Sequence, residues 1–190
     1  KIVRKDSTTI GNKIFNKGRV EKMANILMVI APEMFRDEEL LEPKRVFEDF
    51  GADVVIASKG VKKAKGKLGA VVDVDMDIKD TRAEDYDAVI FVGGPGAAVY
   101  FDDNMALKLA MDAYKKCEVI AAICIAPSIL ANAGILKGKK ATCFESQQEN
   151  LKMKGEIYTG DDVTKDGKII TANGPGAAAE FGKKIMGALS

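Results

Sequence analysis

The strongest constraint in this chain is a set of four apolar runs without polar alternation, at residues 26–30, 54–56, 89–92 and 119–123. A strand with one face in water alternates apolar and polar side chains, so runs of this kind read as strands covered on both faces. Helical stripes lie between them: Leu40, Pro43, Phe47 and Phe50 recur before Gly51, and Leu107, Ala110, Met111 and Tyr114 follow the third run. Strands that alternate with helices across short connections predict an α/β chain, a mostly parallel sheet held between helical layers. Further on, the pattern predicts a short strand near 141–144, a helical piece near 146–152 and a hairpin closed by Asp166-Gly167. A final helix then turns Ala178, Phe181, Ile185 and Leu189 to the core.

At 190 residues, 47% of them hydrophobic, the chain can bury one substantial core. We expect a single domain over residues 23–190. Residues 1–22 differ in charge: they hold seven basic and two acidic side chains, against 22 and 26 in the remainder, and read as a basic N-terminal extension. A net charge of +1 gives no reason to expect nucleic acid or an acidic membrane surface as a partner. Nothing approaches the roughly 20 apolar residues of a membrane span, so a soluble, cytoplasmic protein is expected. Three cysteines without a CxxC spacing argue for reduced thiols. The histidine count is zero, which rules out a Cys-His dyad, a Ser-His-Asp triad and any histidine-ligated metal.

Chemistry then centres on Cys124, where the fourth strand passes into a helix. A thiolate at a helix start gains from nearby N–H groups and the dipole, and Pro127 suits the first turn. The backbone N–H of Ile125 is placed to donate to an oxyanion. A small buried apolar cysteine is the plainer alternative. In such sheets ligands gather at the carboxyl ends of the strands, which puts the turn Gly93-Gly94-Pro95-Gly96 and the loop after Ile30 on the same edge. That loop carries Glu33, Asp37, Glu38, Glu39 and Glu42. Most of these suit a solvated helix start, and one could exchange a proton with the thiol. The run Asp73, Asp75, Asp77 with Glu84 has calcium-loop spacing but holds Ile78 where the turn needs glycine, and reads better as a half-buried strand with its acids in water. A dinucleotide fingerprint is absent from the first strand.

The run Ala121-Ala122-Ile123-Cys124-Ile125-Ala126-Pro127, with Gly93-Gly94, Glu39 four residues ahead of Pro43, Asn173-Gly174-Pro175-Gly176-Ala177 and Glu180-Phe181, resembles the ThiJ/PfpI family of the class I glutamine-amidotransferase-like superfamily. The likeness is nearest the branch with the parkinsonism-associated protein deglycase. It implies a flavodoxin-like three-layer α/β/α sandwich with a nucleophile elbow. It also implies Cys124 as nucleophile, Glu39 as its carboxyl partner, and the N–H groups of Gly94 and Ile125 as oxyanion donors, with Gly93, Phe144 and Asn173 on the substrate side. Phe144 and Asn173 stand where that branch has a histidine and an arginine; Ile125 and Ala98 replace the histidine and glutamate of the peptidase branch. The expected function is a cofactor-free small-aldehyde enzyme of glyoxalase III or deglycase type, acting on an aldehyde or a glycated adduct as a homodimer or larger homo-oligomer. The alternatives are a redox sensor or chaperone-like protein switched by oxidation of Cys124, and a peptidase-like hydrolase.

Overall fold

A computed structural model describes residues 8–9, 13–16 and 19–190, with side chains from Met23 onward. The expected basic extension over residues 1–22 lies partly outside the described residues. Three short strands within it, Thr8–Thr9, Lys13–Asn16 and Arg19–Lys22, pair antiparallel.

The apolar runs become strands of one seven-stranded sheet. These are β1 (Asn25–Val29), β2 (Asp53–Ser58), β3 (Met76–Asp77), β4 (Ala88–Phe91), β5 (Val119–Ile123), β6 (Val163–Asp166) and β7 (Ile169–Ala172). Their order is β6-β7-β5-β4-β1-β2-β3. All neighbours run parallel except the β6–β7 hairpin, which turns at Gly167 with φ of +59°. The five central strands have the flavodoxin-like order, and the winding reverses between β1 and β4, which opens a crevice at their carboxyl ends.

Helices α1 (Asp37–Asp49) and α5 (Ala178–Met186) cover one face; α2 (Asn104–Lys116), α3 (Pro127–Asn132) and α4 (Gln148–Met153) cover the other. Period-two alternation divides the core between them. Ile26, Met28 and Ile30 pack with Leu40, Phe47 and Phe181, while Leu27 and Val29 pack with Leu109, Ile129 and Leu130. Each such side chain, fully buried, contributes about 1.5–3 kcal/mol relative to exposure. That is why the runs could not alternate.

Four local expectations shift. The buried stripe of α2 is Ala106, Leu109, Ala110 and Ala113, whereas Met111 is 40% exposed. Three alanines let the helix lie close to the sheet, so its larger side chains move to the margins. Phe50 ends α1 and is 65% exposed. The segment 71–78 is not one strand: Val71–Asp73 joins a small sheet with Glu33–Phe35 and Lys63–Gly66, and β3 joins the main one. Its acids are not simply in water, because Asp75 accepts the Ile56 N–H at 2.8 Å and Asp77 accepts the Lys79 N–H at 3.0 Å. The strand expected at 141–144 is limited to Lys140–Ala141, paired with Ile157–Tyr158. Among the described residues, no helix is long and apolar enough to cross a membrane.

Candidate active site

Cys124 follows the last residue of β5 and has φ of +64°, in the left-handed region that side chains avoid. Two main-chain bonds hold the strained residue: its N–H donates to the Ala172 carbonyl at 2.9 Å, and its carbonyl accepts the Phe144 N–H at 2.8 Å. The sharp turn lifts the thiol off the strand end instead of letting it follow the pleat. Pro127 sits in the first turn of α3, as expected, but α3 has only six residues and starts three positions after the cysteine. The helix dipole is therefore a small influence on the sulfur. The nearby N–H groups of Gly94 and Ile125 favour its anion directly.

The carboxyl partner comes from the first turn of α1. Of the five acids in that stretch, Asp37 and Glu39 are buried, Glu33 is exposed, and Glu38 forks with Arg36 at 2.8 and 3.1 Å. Asp37 is committed to structure, accepting from the N–H groups of Leu68 and Ala70 at 2.8 Å each. Glu39 is 0% exposed and neither of its oxygens meets a partner at ordinary hydrogen-bond geometry. Its polar neighbours are the Cys124 thiol and the Gly93 N–H, and both draw its pKa down against burial.

Glycine at 93 and 94 is a packing requirement. A Cβ on Gly93 would come within 2.5 Å of Glu39 Oε2 and 2.6 Å of Cys124 Cβ. A Cβ on Gly94, whose φ is +94°, would collide with the main chain of Met34, Phe35 and Arg36. The Arg36 N–H donates to the Gly93 carbonyl at 3.0 Å, which locks the loop after β1 onto the turn after β4.

Burial pushes the Cys124 thiol up to about 12, and the Glu39 charge adds to the rise; the N–H groups of Gly94 and Ile125 oppose it without winning. The expectation of a thiol lowered by its helix start is corrected here, because desolvation and a like charge outweigh two donors. Burial likewise raises Glu39 to about 7. Two negative charges cannot share this space, so the pair holds one proton between sulfur and carboxyl over a wide pH range.

A cavity of about 360 Å³ opens over the pair. Its walls are largely apolar, from Pro95, Ala98, Phe101, Ile125, Phe144 and Pro175. The structure thus brings together Cys124, Glu39, Gly94, Ile125 and Phe144, with Gly93 packed behind the pair. Asn173 does not line this cavity. It lines a neighbouring one of about 310 Å³ with Cys143 and Tyr158, and its amide donates to Asp162 at 2.9 Å. The polar groups that sequence reasoning missed are Arg36, Lys67, Ser146 and Gln147, all on the cavity wall. Nothing in their local spacing marks them, since three separate loops bring them to one rim.

The model of the DJ-1/PfpI family matches residues 24–188. The chain belongs to this family. A protein of Methanocaldococcus jannaschii is 44% identical over 171 residues, covering 88% of this chain and 83% of its own length. A deglycase of Thermococcus kodakarensis is 27% identical, over 79% of this chain and 90% of its own. A glutathione-independent glyoxalase of Caenorhabditis elegans is 29% identical, over 84% and 86%. Among solved structures, a ThiJ/PfpI domain protein from Brachyspira murdochii superposes with a TM-score of 0.84 at 33% identity, covering 89% of this chain and 98% of that one. The DJ-1/PfpI family therefore accounts for everything from β1 to α5, and the site described above lies wholly inside the matched region.

Proposed function

We propose that this DJ-1/PfpI protein is a cofactor-free enzyme acting on small aldehydes or their glycated adducts, with Cys124 as nucleophile and Glu39 as proton carrier. One observation carries the reading: a strained elbow holds a thiol against a buried carboxyl and two main-chain donors at the floor of an open cavity. Similarity to a deglycase and a glyoxalase supports it. Sulfur adds to the aldehyde carbon as the shared proton settles on Glu39, which passes it to the new oxygen, giving a hemithioacetal beside the N–H groups of Gly94 and Ile125. For a 2-oxoaldehyde, Glu39, ionised again, then moves a proton from the first carbon to the second, while the hydroxyl proton of the first carbon passes to the oxygen of the second. The resulting thioester is hydrolysed to a 2-hydroxy acid and the free thiol. Imidazole is not needed, because a carboxyl group with pKa of about 7 can both give and take the proton at neutral pH.

The redox-sensor reading has less support. The relatives named for turnover, a deglycase and a glyoxalase, favour an enzyme over a sensor. The peptidase-like reading has less support, because Ile125 and Ala98 stand where the peptidase branch has a histidine and a glutamate. The proposal includes a homodimer or larger homo-oligomer acting in the cytoplasm. Methylglyoxal consumption by the wild type against Cys124→Ala tests the reading: at least a hundredfold faster loss with the wild type is expected, and equal rates would remove it.

A further inference from the structure

Phe101 and Gln147 stand on the wall of the Cys124 cavity, and a chain of side-chain hydrogen bonds joins them from behind. Asn132 Nδ2 donates to the Phe101 carbonyl at 2.9 Å, and Asn150 Nδ2 donates to Asn132 Oδ1 at 3.4 Å and to Ser128 Oγ at 3.0 Å. Ser128, 0% exposed, donates to Gln147 Oε1 at 2.8 Å, and Gln147 Nε2 donates to Ser146 Oγ at 3.1 Å. An isolated amide can be turned either way round. This chain cannot, because a main-chain carbonyl only accepts. Phe101 therefore demands the amino end of Asn132, which turns its oxygen to Asn150. Asn150 presents its own amino group to Ser128, and the buried Ser128 hydroxyl finds the acceptor for its hydrogen in Gln147 Oε1. The oxygen of Gln147 is spent behind the wall, and its amino group is left at the cavity with a second hydrogen to offer.

We propose that Gln147 is a substrate-binding donor whose N–H recognises the second oxygen of a 2-oxoaldehyde, the one on the carbon next to the carbon that Cys124 attacks. The inference rests on the aldehyde reading of the site. Asn132, Asn150 and Ser128 are positioning residues that set which end of the amide faces substrate. Of the other donors on this largely apolar wall, Arg36 is engaged by Glu38, which leaves Lys67 and the Ser146 hydroxyl beside Gln147; a fixed amide donor there separates 2-oxoaldehydes from simple aldehydes of similar size.

The test uses alkylation of Cys124 by iodoacetamide, whose carbonyl lies on the carbon next to the attacked one, and by iodoethane, which has no oxygen. The ratio of the two rates at Cys124, read by peptide mass spectrometry, cancels any change in thiolate fraction. Gln147→Glu replaces the donor with an acceptor. Asn150→Asp does so from outside the cavity, by drawing the Ser128 hydrogen back and letting the Gln147 amide turn over. In both variants the ratio should fall about tenfold, the scale of one lost hydrogen bond, and kcat/KM for methylglyoxal should fall with it. A ratio within twofold of the wild type in both would overturn the proposal. If the ratio falls while the wild type consumes no methylglyoxal, the donor stands and the aldehyde reading fails.

Discussion

At Cys124 and Glu39 the decisive quantity is one proton held by two groups that cannot both be charged. Below a pH of about 7 Glu39 keeps its proton and the thiol keeps its own, so no nucleophile is available. Above it the pair carries a single negative charge. Alkylation of Cys124 and methylglyoxal turnover should both rise through an apparent pKa of about 7 in the wild type. Replacing Glu39 with Gln removes the like charge, so the thiol falls from about 12, yet burial keeps it above the ordinary cysteine value. The expected result for Glu39→Gln is a loss of about a hundredfold in kcat/KM at pH 7 and a rise displaced to more alkaline pH. An unchanged pH profile would separate Glu39 from the chemistry. Labelling by iodoacetamide should favour Cys124, which opens onto the cavity beside Glu39, over Cys117 and Cys143, which are only 3% and 1% exposed.

At the scale of elements, the site depends on how closely three turns approach one another. Gly94→Ala must relieve a positive φ and a collision with the main chain at Met34–Arg36, so the loop carrying Arg36 and the start of α1 has to move away. Turnover should fall at least tenfold while the protein stays folded, as checked by kcat/KM alongside urea unfolding. The packing of α1 on α5 acts on the same residue from the other end. A Cβ on Gly182 would lie 3.0 Å from Pro43 Cα and 3.3 Å from Val46 Cβ, so the helices touch with no side chain between them. Pro43 has no N–H to give the Glu39 carbonyl, which already loosens the first turn of α1. Gly182→Val should cost about 1–3 kcal/mol in urea unfolding and should lower turnover by displacing Glu39. Full activity in that variant would show that α5 does not set the carboxyl position.

Over the whole molecule, the balance of stability with pH has an unusual sign, because two buried carboxyls are raised and neither has an ordinary hydrogen-bond partner. Glu156, 7% exposed, is lifted by burial to about 7, as Glu39 is. A carboxyl whose folded pKa lies above its unfolded one contributes stability that is complete below about pH 4.5 and is lost as pH rises through about 7. Glu156→Gln, which removes this ionisation outside the Cys124 cavity, should be more stable than the wild type by about 1–3 kcal/mol at pH 8, with the gain vanishing near pH 4.5. Urea midpoints across that range check it; a constant difference would mean that folding leaves the Glu156 pKa unchanged. Legibility in the sequence divides along the same line of argument. Continuous apolar runs, the glycine turns and the Asp166-Gly167 hairpin announce the layered sheet and the edge that holds Cys124, because burial on two faces and positive φ act on neighbours along the chain. The burial of Glu39 among solvated acids, the upward shift of the thiol, the inward face of α2 and the orientation of Gln147 were decided only by tertiary structure. Desolvation and hydrogen-bond direction depend on what lies across the space around a group, and no local spacing records that.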